Sequence, residues 1–344
     1  MPRLDRGDPR DPFTQGPPDD PIGLNTRGLA GLPLPDPRYH PGLVDGSGGM
    51  KGKSLKVALL QETDRGSRDA NLDAIEAGLR EAAAAGARLV LLQELHNGPY
   101  FCQHESVDEF DRAESIPGPS SERLGALAEE LGLVVVASLF ERRAAGLYHN
   151  TAVVFDRSRA IAGKYRKMHI PDDPAFYEKF YFTPGDLGFE PIQTSVGRLG
   201  LLVCWDQWYP EGARLMALAG ADLLLYPTAI GWDPADPQDE KDRQRDAWIT
   251  VQRGHAVANG LPLLACNRTG FEAAPEGGRG IQFWGSSFVA GPQGEFLAQA
   301  STDRRELLLA DVDLARSEDV RRIWPFLRDR RIDAYADLTR RFRD

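Results

Sequence analysis

The sequence predicts one α/β domain in which layers of sheet are covered by helix, preceded by a tail that carries no packed element. Three observations predict it. From Leu55 onward the chain runs through short, nearly continuous apolar stretches bounded by turn residues, the texture of strands buried on both faces. Helical periodicity falls between several of them, which calls for helix packed on sheet. Residues 1–53, by contrast, are dense in Pro, Gly and Asp with neither a strand nor a helix period. Such a segment buries too little apolar surface to offset its ordering entropy and is expected to be a disordered tail. The stretch "MKGKSLKVALLQ" from Met50 resembles an ordinary protein start, so residues 1–49 are expected to be a dispensable extension of a domain over 54–344.

In chain order the candidate strands are "LKVALLQ" from Leu55, "RLVLLQE" from Arg88, "LVVVASLF" from Leu133, "TAVVFD" from Thr151 and "AIAGKYRK" from Ala160. They continue with "RLGLLVC" from Arg198, "DLLLYP" from Asp222, "PLLAC" from Pro262, "SSFVAG" from Ser286 and "ELLLADVD" from Glu306. Between the first pair lies "ANLDAIEAGLREAAAAG", which reads as helix. In "SSERLGALAEELG" the apolar residues Leu124, Leu127 and Leu131 share one helical face, with serine available as the N-cap and Gly132 just past the end. The long "DRQRDAWITVQRGHAVANG" behaves similarly, and Pro210 in "YPEGARLMALAG" suits the first turn of another helix.

Composition excludes several function classes. A formal net charge of -10 and basic clusters that are short and interrupted, such as Arg328 to Arg331, give no footprint for nucleic acid. No run approaches the length of a membrane span, and the N-terminus has no apolar targeting core. The 3 cysteines, with no CxxC spacing, indicate neither a disulfide framework nor a zinc ribbon and fit a reducing, cytoplasmic setting. "GSGGMKGKS" nearly spells a phosphate loop, but Ser47 stands where the first glycine belongs, and the segment precedes a strand instead of following one.

Glu94, Lys167 and Cys204 each sit at the carboxyl end of a different apolar run, where open α/β sheets place their sites. Singly, each has a bland reading: a solvated carboxylate, a snorkelling lysine, an inert core thiol. Together they make chemistry. A carboxylate within reach can take the thiol proton, and an ammonium can lower the thiol pKa and hold an oxyanion formed on a carbonyl. The backbone N–H of Trp205 is the natural second donor to that oxyanion.

On these residues the chain resembles the nitrilase (carbon-nitrogen hydrolase) superfamily, over about residues 54–344. The resemblance rests on Glu94 in "LVLLQEL", Lys167 in "KYRKMHIP" and Cys204 in "VCWDQWYPE". It implies an αββα sandwich, and it adds Glu178 in "YEKFYFTPGD" as a glutamate beside the lysine and cysteine. Within the superfamily, "ELHNGPYFCQ", "CWDQWYPEGAR", "YPTAIG" and "RDRRIDAY" are most similar to the N-carbamoylputrescine amidohydrolase branch. That implies cysteine-dependent hydrolysis of a ureido amine without metal or organic cofactor, in a homo-oligomer with the C-terminal segment as a subunit contact. An amidase or an N-carbamoyl amino acid hydrolase of the same superfamily, and a non-catalytic α/β binding protein, are the alternatives.

Related hydrolases of N-carbamoyl-D-amino acids carry two arginines, three and four residues after the nucleophile, suited to clamp a carboxylate. Here those positions are Gln207 and Trp208. Asp233, the first acid after "YPTAIG", is therefore expected to meet a substrate ammonium. His149 and His169 have no second ligand at metal spacing and read as ordinary hydrogen-bonded histidines. Cys102 and Cys266 read as packing residues.

Overall fold

The computed structural model describes residues 54–343, so the expected tail over 1–53 lies outside the described residues. Two six-stranded sheets lie face to face. The first runs in the order β15-β1-β2-β3-β4-β5. Its strands are β1 (Ser54–Gln61), β2 (Leu89–Leu92), β3 (Val134–Ala144), β4 (Leu147–Asp156), β5 (Ile161–Arg166) and β15 (Glu306–Asp313). The second, in the order β14-β13-β10-β8-β7-β6, is built from β6 (Ile192–Thr194), β7 (Gly197–Leu201), β8 (Leu223–Pro227), β10 (Leu263–Cys266), β13 (Phe288–Ala290) and β14 (Phe296–Gln299). A small third sheet joins β9 (Gly231–Trp232), β11 (Thr269–Glu272) and β12 (Ile281–Trp284).

Alternation along the strands decides the layering, because successive side chains point to opposite faces. Leu55, Val57 and Leu59, with Leu89, Leu91, Val134 and Val136, pack against Leu199, Leu201, Leu223, Leu225 and Leu263 of the second sheet. The intervening Ala58, Leu60, Val90, Leu92 and Val135 face outward and are covered by Ile75 and Leu79 of α1 (Arg68–Ala84) and by Leu124 and Leu127 of α2 (Pro119–Leu131). Met216 of α4 (Pro210–Leu218) and Trp248 and Ala256 of α5 (Gln238–Asn259) join the core on the second sheet's side. The result is the αββα sandwich. A four-residue α3 (Glu178–Tyr181) and the C-terminal α6 (Ala315–Ile323) complete the helices.

All ten expected runs form strands. Helix α2 begins earlier than the serine cap expected: Pro119, with its φ preset for a helix, holds the first position. Gly118 is the N-cap, and its N–H donates to the Ser121 hydroxyl at 2.8 Å. Gly132 ends the helix as expected, in the left-handed conformation with φ 64°.

Each sheet has a parallel core, β1-β2-β3 in one and β7-β8-β10 in the other. Strand β5 is antiparallel to β4, which is antiparallel to β3, so β5 runs with β2 and β3. The carboxyl ends of β2, β3 and β5 therefore share one edge. Main-chain hydrogen bonds link the strand ends of the first sheet to the other two, Glu94 N–H donating to Thr228 O beyond β8 at 3.2 Å and Thr269 N–H of β11 donating to Glu62 O at 3.0 Å.

Candidate active site

Lys167 follows the last residue of β5, and its ammonium reaches two carboxylates: Glu94 Oε1 at 2.9 Å and Glu178 Oε2 at 2.6 Å. All three side chains are shut off from solvent. Burial works against the charged lysine, but the Glu178 and Glu94 carboxylates overcome it and hold its pKa well above the ordinary value. The main chain around Lys167 is fixed as well. Its N–H donates to Asn150 O, and its carbonyl accepts from Gly185 N–H at 2.8 Å. At Gly185 a Cβ would stand 2.0 Å from Arg166 O, so only glycine allows that approach.

Glu94 lies just beyond β2. Its Oε1 accepts from Asn150 Nδ2 at 2.6 Å as well as from Lys167, while its buried Oε2 has no partner among the described residues. Asn150 Oδ1 accepts from the Ser138 hydroxyl, which in turn accepts from Leu95 N–H at 3.2 Å. Arg268, beyond β10 and fully buried, donates to Leu95 O at 2.7 Å, to Glu94 O at 3.3 Å and to Gly98 O at 2.9 Å. It also forms a 2.6 Å ion pair with Glu272, whose other oxygen accepts from Tyr100 N–H at 2.6 Å. A guanidinium presenting a fixed fork of donors suits this work of tying a loop at several points.

Cys204 stands where the β7 segment turns into a 3-10 helix over Cys204–Trp208, and Pro210 opens α4 behind it. Its φ of 46° is left-handed, as is the 48° of Leu95 beside the glutamate. Non-glycine residues held there cost about 1–3 kcal/mol each and persist only where their surroundings over-determine them. The surroundings here are Asp206, whose Oδ2 accepts from Val203 N–H at 3.0 Å and from Tyr165 OH at 2.8 Å. Its Oδ1 accepts from His169 N–H at 2.9 Å and faces His169 Nδ1 at 2.7 Å. The first N–H groups of a helical turn lie outside the intrahelical ladder, and that of Trp205 is one of them. The Cys204 thiol is pushed well above its ordinary pKa by burial and by Glu94, with Lys167 opposing and Glu178 adding to the rise. The resting sulfur is thus protonated and needs a base at the moment it attacks.

Glu178 opens α3, and its Oε1 accepts from Tyr100 OH at 2.7 Å. Burial pushes this carboxyl up to about 7, against the opposing pull of Lys167. Tyr100 itself is held well above its usual range by burial and by Glu178, so it remains a donor.

The structure gives Asp233 a different partner from the one expected. It is exposed and paired with Arg279 at 2.8 Å, and it accepts from Ala235 N–H. The reason is β9, which pairs with β12 and leads the chain to the surface opposite Arg279 instead of into the strand-end cleft. Gln207 is buried and bonded to Thr228 Oγ1 at 2.6 Å and to Trp248 Nε1 at 3.0 Å. His149 faces Thr183 O at 2.9 Å, and His169 stacks on Tyr209 with ring centroids 4.0 Å apart. Cys102 and Cys266 are buried. Asn150, Asp206 and Arg268 escaped the sequence reading. Arg268 carried the signal that flagged the others, a polar residue just past a buried strand, and Asp206 lies two residues beyond the thiol.

Comparison with known proteins adds four findings. Residues 56–322 match the family described as carbon-nitrogen hydrolase. The chain is 43% identical over 291 residues to an N-carbamoylputrescine amidase of Solanum lycopersicum, covering 84% of this chain and 96% of that protein. It is 38% identical to a citrullinase of Francisella tularensis, covering 84% of this chain and 99% of that one. Among solved structures, the carbon-nitrogen hydrolase from Helicobacter pylori G27 superposes with a TM-score of 0.83 at 56% identity, covering 85% of this chain and 100% of that chain.

Proposed function

The chain belongs to the carbon-nitrogen hydrolase family, and we propose that it is the enzyme that hydrolyses the ureido C–N bond of N-carbamoylputrescine to putrescine, carbon dioxide and ammonia. The observation that carries the chemistry is the arrangement around Lys167, where one ammonium binds Glu94 and Glu178 together at 2.9 and 2.6 Å in a dry pocket. The substrate reading rests on similarity to N-carbamoylputrescine amidases over most of the chain.

In the mechanism that this geometry supports, the partnerless Oε2 of Glu94 takes the Cys204 proton as sulfur attacks the ureido carbonyl. Lys167 and the Trp205 N–H hold the oxygen that becomes negative. Collapse expels a nitrogen, which takes its proton from Glu94 and leaves a thioester-type intermediate on sulfur. Glu94, again ionised, draws a proton from water as the water attacks that carbonyl and returns it to the departing sulfur, restoring the thiol; the carbamic acid released loses carbon dioxide and so frees the second nitrogen. Glu178 keeps Lys167 charged and aimed. The environment of Cys204 explains why base and nucleophile must act together: with the thiol pKa raised by burial, thiolate forms only as Glu94 removes its proton.

The test is turnover of ureido and amide substrates, read by ammonia release, in wild type and in Cys204→Ala, Glu94→Gln and Lys167→Ala. Each variant is expected to lose about 10⁴-fold or more in kcat while keeping its fold, because groups acting as a unit fail together. Substantial activity in Cys204→Ala would replace this mechanism with a water-based one. Citrulline belongs in the same screen, since a citrullinase is among the relatives; a higher kcat/KM for it would move the substrate assignment and leave the chemistry standing.

We also infer a cytoplasmic setting, from the unpaired cysteines, and self-association through the C-terminal segment. That segment leaves Ile323, Trp324, Ile332, Leu338 and Phe342 exposed. Among the described residues no helix is long and apolar enough to cross a membrane.

A further inference from the structure

A ureido diamine carries an ammonium at the end away from its reacting carbonyl, and the acid expected to meet it, Asp233, is already neutralised by Arg279. A different carboxylate is placed for the task. Asp173 sits in the loop between Lys167 and Glu178, so two members of the reactive set bracket it in sequence. The loop is pinned on both sides. Upstream, His169 is held to Asp206 by its N–H at 2.9 Å. Downstream, Phe176 N–H donates to Asp173 O at 2.8 Å, and Tyr177 N–H donates to Cys102 O at 2.9 Å. Ala175 between them is left-handed, with φ 68°. The Phe176 ring packs on Tyr100 at 5.5 Å, and the Tyr100 hydroxyl is on Glu178. Asp173 thus hangs from a fixed turn that packs, through Phe176, on Tyr100, the donor to Glu178.

Its Oδ1 is sealed from solvent and has no hydrogen-bond partner among the described residues. Buried carboxylate oxygens are ordinarily paired, and one left open marks a place for a donor that comes and goes. Burial pushes the Asp173 carboxyl above its ordinary range, opposed by its own backbone N–H and then by Lys167. The lysine is itself committed to Glu94 and Glu178 and does not bond to Asp173.

The geometry points to Asp173 as the specificity-determining residue of the reaction, the anion that receives the distal ammonium of the ureido substrate through its open Oδ1. This rests on the functional reading above and deepens it: the enzyme would select ureido compounds that end in a cation because Oδ1 of an empty Asp173 is shut from solvent without a donor.

The test compares wild type with Asp173→Asn on two substrates alike in length and differing in one group, N-carbamoylputrescine and butylurea. In the variant KM for N-carbamoylputrescine is expected to rise about 30-fold or more with kcat little changed, the scale on which losing one partner of a buried charge pair is felt. Butylurea turnover should be unaltered, which also shows that the variant folds. Asp172→Asn, which removes a charge from the exposed neighbour, should change neither substrate. Equal effects of Asp173→Asn on the two substrates, or an unchanged KM for the amine, overturn the assignment. Calorimetry with putrescine reads the cation site without turnover: wild type should bind it at least about 30-fold more tightly than Asp173→Asn does. Equal affinities, or no binding to wild type, count against Asp173. Putrescine binding that depends on Asp173 in an enzyme unable to hydrolyse N-carbamoylputrescine would sink the functional reading alone.

Discussion

Tyr100 donates its hydroxyl to Oε1 of Glu178 at 2.7 Å, the carboxyl oxygen that Lys167 leaves free, since the lysine binds Oε2. Each oxygen of the buried glutamate therefore has one donor. The donors stabilise the ionised form against a burial that pushes its pKa up to about 7.

Removing the hydroxyl in Tyr100→Phe takes away one of those donors. The Glu178 pKa should rise further, because the lost hydrogen bond favoured the charged form. Below its pKa Glu178 is neutral and ceases to pair with Lys167, so kcat/KM should fall as pH drops through about 7 in wild type. In Tyr100→Phe that acid limb should move to higher pH. A pH profile of kcat/KM checks it. A variant whose limb stays in place while overall activity drops would make Tyr100 merely a packing residue.

Arg268 ties the loop after Glu94 at Glu94 O, Leu95 O and Gly98 O and neutralises Glu272. Arg268→Met leaves Glu272 buried without its cation, which costs about 3–5 kcal/mol of stability. Arg268→Lys keeps the charge but cannot span all of those acceptors. It should recover part of the stability and little of kcat. Thermal melts and kinetics on the two variants separate the contributions; equal recovery of both would mean that charge alone matters there.

Glu141 on β3 joins Arg166, at 2.8 Å through two nitrogens, and Thr151 at 2.6 Å, one residue before Lys167. Burial would raise its pKa, but Arg166, Thr151 and Lys164 together bring it down to about 2. A folded pKa below the unfolded one means that the contribution to stability is complete above the unfolded pKa near 4.5 and is lost as pH falls toward about 2. Glu141→Gln should therefore be less stable than wild type by about 3 kcal/mol at neutral pH. The gap should narrow across that acid window. Denaturant melts at several pH values measure it, and a gap independent of pH would assign the loss to packing.

What could be read from sequence follows from the range over which each interaction acts. The ten long apolar runs announce themselves because burial on both faces needs several consecutive apolar residues. The strands that went unread, β6, β9, β11, β12 and β14, span only two to four residues each, and none is buried along its whole length as the equally short β2, β10 and β13 are. Glu94, Lys167 and Cys204 were legible as polar residues ending buried runs, and Glu178 through family resemblance. Asn150 was not, since its role comes from a reach across the pocket to Glu94 that no local pattern encodes. The Arg279 partner of Asp233 was not legible, because distance in sequence from a strand end says nothing about the direction a following strand takes. The pairing of β9 with β12 settles that direction.

Glu94 and Lys167 hang from one sheet, and Cys204 from the other. Turnover is consequently a gauge of how two slabs are seated on one another. A substitution in the apolar layer between them, far from any reacting atom, that slid one sheet by about an ångström could silence the enzyme about 100-fold while leaving both sheets hydrogen-bonded and the melting curve nearly unchanged. The greasy interior sets the aim of the chemistry as well as the stability of the fold.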